Sequence, residues 1–157
     1  MIPGLISLPG APWDVLPAGI HPATLSEVEA MFAYNRRRRE LFGGLVRGAL
    51  ALRLAGSAAL YPDGSFVTAK PIPGDYDACW ETQGVTAAKL DPVFLDFSNL
   101  RQAHKAKYGG EFFPKDAPNR PGETIFQLFQ KEKATQLPKG IIVIALATDP
   151  LLTALAP

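Results

Sequence analysis

Cysteine is all but missing from this sequence. Cys79 stands alone among 157 residues, so no internal disulfide can form and no thiolate metal cluster can be assembled. Histidine is nearly as scarce: His21 and His104, far apart in the chain, supply too few nitrogens for a zinc centre. No sign of charge dominates either, because 16 Lys and Arg stand against 15 Asp and Glu for a net +1. Such a chain has no global field to attract a polyanion, so a nucleic acid partner is not expected unless a local patch meets it. Long hydrophobic runs are also lacking. Residues 141–147 are far too few to cross a bilayer. Prolines break up the amino-terminal MIPGLISLPGAPWDVLPAG, where a signal peptide needs an unbroken apolar core. With 47% hydrophobic and 20% charged residues and no repeat, the expectation is one globular cytoplasmic domain spanning 1–157, with no membrane contact.

Proline, by contrast, is abundant. Pro3, Pro9, Pro12, Pro17 and Pro22 predict an extended or turning arm over residues 1–23. Ile6, Leu8, Trp13 and Leu16 are available to strap it to the domain surface; exchange between two copies is the alternative. Thr24 with Glu27 reads as a capping box opening a helix that could run to Leu54 and stop at Gly56. Gly43 and Gly44 inside it mark either a break or a close approach to a neighbour. Arg36, Arg37, Arg38 and Arg39 follow one another on this helix and sweep most of its circumference. They predict a solvated face with one stem lying along the apolar seam. A guanidinium reaching a phosphate or a carboxylate, and contact with RNA, are the other readings.

Strands are expected over 58–63, 76–80 and 93–97, with a further β-branched strand over 141–146. Residues 100–110 read as a helix with a basic surface from Arg101, His104, Lys105 and Lys107, ended by Gly109. The prolines of EFFPKDAPNRPG predict a loop, GETIFQLFQKEKATQ a helix, and residues 148–157 a loosely held tail. The fold class is therefore α+β, a small mixed β-sheet with flanking helices and an α/β-like alternation.

The densest chemistry lies in YPDGSFVTAKPIPGDYDACW, residues 61–80. Gly64 and Ser65 open a tight loop, and Asp75 and Asp77 follow with one residue between them. If 76–80 is a strand, residues two apart share a face, so both carboxylates aim at one place. Paired carboxylates repel unless a proton or a cation sits between them. Magnesium fits such a pair, taking one or two protein carboxylates and completing its octahedron with phosphate oxygens. Two turn carboxylates after Pro73 and Gly74 are the plainer alternative.

Gly-Ser, a spacer of about ten residues and Asp-x-Asp resembles the signature of the nucleotidyltransferase superfamily that includes DNA polymerase beta and the minimal bacterial enzymes. The resemblance implies a nucleotidyltransferase-like domain. It also implies a third acid on a following strand, for which Asp96 in PVFLDFSN is the candidate. Asp75, Asp77 and Asp96 would then be the catalytic and metal-binding residues, with Mg²⁺ or Mn²⁺ as cofactor. Gly64 and Ser65, joined by Lys70 and Lys139, would hold a nucleoside triphosphate. The sequence reads Val67-Thr68-Ala69-Lys70 where many minimal members carry Arg-Gly, and Gly74 where they carry Ser. Its wording is most similar to a branch with a Gly-Ser-Phe-Val/Thr-Thr loop. By the same analogy the acceptor hydroxyl lies on a partner protein, as for antitoxins that modify a toxin. A module of this fold that has lost turnover and acts by binding a partner is the alternative function.

Overall fold

The computed structural model describes residues 1–156. Five strands form one mixed sheet: β1 (Gly19–Pro22), β2 (Ala59–Asp63), β3 (Tyr76–Trp80), β4 (Gly110–Pro114) and β7 (Gly140–Ala145), in the order β1-β7-β2-β3-β4. The outer pairs, β1 with β7 and β3 with β4, are parallel, while β2 runs antiparallel to both of its neighbours. A second, two-stranded sheet joins β5 (Pro118–Arg120) to β6 (Glu123–Thr124). Helices α1 (Leu25–Phe32), α2 (Arg36–Ala55), α3 (Ser98–Tyr108), α4 (Ile125–Leu128) and α5 (Pro150–Leu155) complete an α+β fold.

Alternation along the strands splits the sheet into two unlike faces. Leu60, Tyr76, Ala78, Trp80, Phe112, Ile142 and Ile144 join the main core with α1 and α2. The opposite face carries Tyr61, Cys79 and Ile141 beneath Ile125, Phe126 and Phe129. Cys79 is thus a buried core residue, as its place in an apolar strand predicts.

The long first helix is divided, but not at its glycines. Asn35 breaks it by capping α2, its side chain accepting the Arg38 amide at 2.9 Å. Gly43 and Gly44 sit inside an unbroken α2. A Cβ on Gly44 would lie 1.8 Å from the Tyr108 carbonyl oxygen, and one on Gly48 would lie 2.5 Å from the Phe112 ring. These glycines serve close packing of α2 on α3 and β4.

Residues 93–97 are not a strand. Asp91 accepts the Val93 amide at 3.0 Å, and Pro92 opens a 3-10 turn over Pro92–Leu95. Aspartate before proline is a helix-start signal that outweighs the apolar, aromatic composition of this run. Phe94 from this turn stacks on Tyr108 with ring centres 5.0 Å apart. The third strand of the site is instead β4, in the EFFP segment expected to be a loop. Pro114 is tolerated because β4 is an edge strand and the proline is its last residue.

The long helix expected after Gly122 shrinks to α4, since Glu132 accepts the amides of Ala134 at 2.7 Å and Thr135 at 3.1 Å and bends the chain back toward Lys139. The expected loose tail also docks: Asp149 caps α5 and accepts the Leu25 amide at 2.8 Å, and Leu152 is buried. Its last residue, Pro157, lies outside the described residues. The proline-rich arm contributes β1 to the sheet rather than lying wholly on its surface.

Gly44→Ala tests the α2 contact. The added methyl must push the α3 carboxy-terminal turn away, and the expected loss is about 1–3 kcal/mol in urea unfolding, against a near-neutral effect at exposed Gly4.

Candidate active site

Gly64 and Ser65 lie at the turn between β2 and a short 3-10 turn, Ser65–Val67. Gly64 has φ +82°, and a Cβ there would sit 2.9 Å from the Asp77 amide nitrogen and 3.0 Å from Asp77 Oδ2. Only glycine lets the bend approach the Asp77 backbone and carboxylate this closely. The Ser65 hydroxyl lies 3.5 Å from the Asp75 carbonyl. The structure thus brings the Gly-Ser bend and the aspartate pair together.

What holds them is the arginine run. Arg38 is completely buried, and its guanidinium donates to the carbonyls of Phe32 at 3.0 Å, Phe66 at 2.7 Å, Thr68 at 2.8 Å and Lys70. Its charge also faces the rings of Tyr34 and Phe66 at 4.6 and 5.5 Å. Burial pulls this guanidinium below its ordinary pKa, with Tyr34 opposing, yet arginine stays charged at any physiological pH. Arg37 donates to the Pro73 carbonyl at 3.3 Å and to Gly74, and Asn35 to Pro71 at 2.8 Å. The start of α2 therefore clamps the whole segment between Ser65 and Asp75. The Arg38 guanidinium thus spends its terminal donors on backbone carbonyls.

Asp63, Asp77 and Glu111 are direct register partners across β2, β3 and β4, so three acids stand in a row on one sheet face. Two are already engaged. Asp63 is ion-paired with Lys139; Glu111 meets Arg101 and Lys105, each at 3.0 Å. The Asp75 and Asp77 carboxylates take no hydrogen bond among the described residues, and only burial and through-space charge act on them. Burial, reinforced by Asp75, Asp63 and Glu111, raises the Asp77 carboxyl to about 7, with Arg101 opposing. Asp63 rises to about 6, because burial outweighs its lysine. Asp75 is raised by burial and by Glu111, against Lys105, Arg37 and Lys70.

A cavity of about 690 Å³ opens over this row. Its polar lining includes Asp63, Ser65, Thr68, Lys70, Asp75, Asp77, Lys131, Glu132, Lys133, Gln136 and Lys139, with Gly64 and Gly74 beside them; Pro12, Trp13, Val15, Leu128 and Phe129 form apolar walls. Six of the seven residues singled out from the sequence thus share one cavity. Asp96 does not. It is exposed, and its Oδ1 accepts the Ser98 amide at 3.1 Å and the Ser98 hydroxyl at 2.5 Å, a turn-capping role. Lys139 lines the cavity with its ammonium already committed to Asp63. His104 is buried; its Nδ1 accepts the Phe112 amide at 3.1 Å, so the neutral ring carries its proton on Nε2.

A family model described as a family of unknown function, DUF6932, matches residues 11–145. The chain belongs to that family. No curated protein and no solved structure matches it. The segment that defines DUF6932 membership runs from the arm to β7 and includes every residue lining the cavity.

Among the described residues no group of three or more His, Cys, Asp or Glu could hold a metal ion by itself. The expected three-acid cage of Asp75, Asp77 and Asp96 is therefore not assembled: Asp96 lies outside the cavity, and Glu111, the acid beside Asp77, is held by two cations. Asp75 and Asp77 still offer hard, unpartnered oxygens beside an anion-favouring bend, the donor set that suits magnesium shared with a phosphate.

The sequence reading missed Asp63, Glu111, Lys131, Lys133 and the anchoring role of Arg38. Asp63 was legible in principle, since it shares strand parity with Tyr61 and directly precedes Gly64.

Arg38→Lys is expected to cost on the order of 3 kcal/mol in urea unfolding, because one ammonium cannot serve four carbonyls fixed around a planar fork. The acid row also sets a pH trend. Folded Asp77 and Asp63 hold protons that the unfolded chain has released, so their stabilisation is complete below about pH 4 and is lost as pH rises through about 6 and 7. The melting temperature is expected to fall between about pH 4 and 7, and Asp77→Asn to flatten that decline.

Proposed function

We propose that the cavity is a nucleotidyl-transfer site, in which a nucleoside monophosphate passes from a triphosphate to a hydroxyl with release of pyrophosphate. The observation that carries this reading is the contact between the Gly64 bend and the unpartnered Asp75 and Asp77 pair inside a lysine-rimmed cavity. Lys70 and Lys133, which form no ion pair among the described residues, are free to meet phosphate oxygens. Asp75 and Asp77 would hold Mg²⁺ or Mn²⁺. Bound there, such an ion supplies charge neutralisation for phosphoryl oxygens and acidifies an acceptor hydroxyl. Asp77 gives up its raised proton when that charge arrives. Lys139 is ion-paired with Asp63 in the same row, which leaves Asp75 and Asp77 as the cavity carboxylates without a hydrogen-bond or ion-pair partner among the described residues. Ser65 and the bend around it orient the phosphate tail.

The acceptor in this reading is a hydroxyl on a partner protein, and the compartment is the cytoplasm, where triphosphates are supplied. One feature favours the binding-module alternative: Glu111, beside Asp77 in the sheet, is saturated by Arg101 and Lys105 rather than open to a second metal.

The test is pyrophosphate release from ATP, GTP, CTP and UTP with Mg²⁺ or Mn²⁺, with and without a co-purified partner. Asp75→Ala and Asp77→Ala are each expected to lower release by about a hundredfold or more, whereas Asp96→Ala leaves it unchanged. Metal-dependent nucleotide binding without release selects the module, and the absence of both overturns the reading.

A further inference from the structure

The triphosphate reading uses the polar lining of the cavity and leaves its apolar wall without a role. That wall includes an unusual residue, Trp13, which keeps 41% of its surface exposed although it stands on a fixed segment. Val15, two residues on, is buried and forms bridges with both Ile6 and Thr68. The Ala69 amide donates to the Asp14 carbonyl at 3.0 Å. Trp13 is therefore positioned by the same loop that begins with Gly64 and Ser65 and is clamped by Arg38.

We propose that Trp13 is the platform on which the base of the bound nucleotide stacks, which makes the arm a substrate-binding element. This inference rests on the nucleotidyl-transfer reading of the cavity. A flat, exposed indole and a lysine-rimmed acidic pair in one cavity of about 690 Å³ match the two halves of a nucleotide, an aromatic base tied to a polyphosphate. Stacking on an aromatic face tolerates any base, because every base has a π-surface. The larger purines overlap an indole more than pyrimidines do, so ATP and GTP are expected to bind more tightly than CTP and UTP.

The experiment separates this inference from the one beneath it. Calorimetric titrations with Mg²⁺ and each of the four triphosphates, and with inorganic tripolyphosphate, are made on the wild type, Trp13→Phe and Trp13→Leu. Trp13→Leu is expected to weaken ATP binding about fivefold or more, the lower end for base-aromatic stacking, while tripolyphosphate binding is unchanged; Trp13→Phe retains most of the affinity. Trp80, only 3% exposed, provides a constant fluorescence background, so ATP but not tripolyphosphate should quench the emission, and Trp13→Phe should abolish the quench. Equal affinity for ATP and tripolyphosphate, or an unaffected Trp13→Leu, overturns the platform and leaves the phosphate site standing. Failure of every triphosphate and of tripolyphosphate to bind overturns both.

Discussion

A single buried guanidinium governs the candidate site. Arg38 has no carboxylate partner among the described residues; its two terminal nitrogens donate to four backbone carbonyls, its charge faces two aromatic rings, and its buried Nε is left without a partner. Those carbonyls come from the end of α1 and from the loop after Gly64, so one side chain ties two segments remote in sequence to the start of α2. Burying an unpaired cation is costly unless hydrogen bonds replace its water shell. That requirement makes the arrangement cooperative. The loop must take one shape for Arg38 to be buried, and in that shape Gly64 reaches Asp77.

The acid row imposes the opposite strain. Asp63, Asp77 and Glu111 are adjacent across three strands, a placement the sheet alone would disfavour because like charges repel. Lys139 relieves one end and Arg101 with Lys105 the other, which leaves Asp77 uncompensated in the centre, with Asp75 beside it. Raised carboxyls at such a position cost folding stability and are common where chemistry or ligand binding offsets that cost. Backbone strain gathers nearby: Asn99, Leu100 and Arg101 all have positive φ, and this left-handed turn carries the guanidinium that meets Glu111.

Much of the site was legible because its parts are local. Gly64 with Ser65, and Asp75 with Asp77, are short-range patterns whose geometry follows from a glycine bend and a two-residue strand period. The strands around them and the final strand β7 follow from β-branched and aromatic composition. Asp96 misled because an apolar, aromatic run was weighed above the Asp91-Pro92 start signal. β4 was hidden by Pro114, which an edge strand accepts. The arginine run was ambiguous for a different reason: four identical residues on a helix face every direction, and only the packing of α1 and the loop decides that Arg38 alone points inward.

Residue chemistry and short-range periodicity were sufficient to determine the α+β class, the glycine-serine bend and the pair of aspartates that face one place. Tertiary structure alone decided which third acid stands beside them, which cations are spent on neighbours, and that Trp13 of the arm shares their cavity. The physical reason is the range of the interactions. A turn or a strand face is set within a few residues, whereas sheet register, the burial of a charge and the lining of a cavity depend on segments that meet only when the whole chain has closed around them.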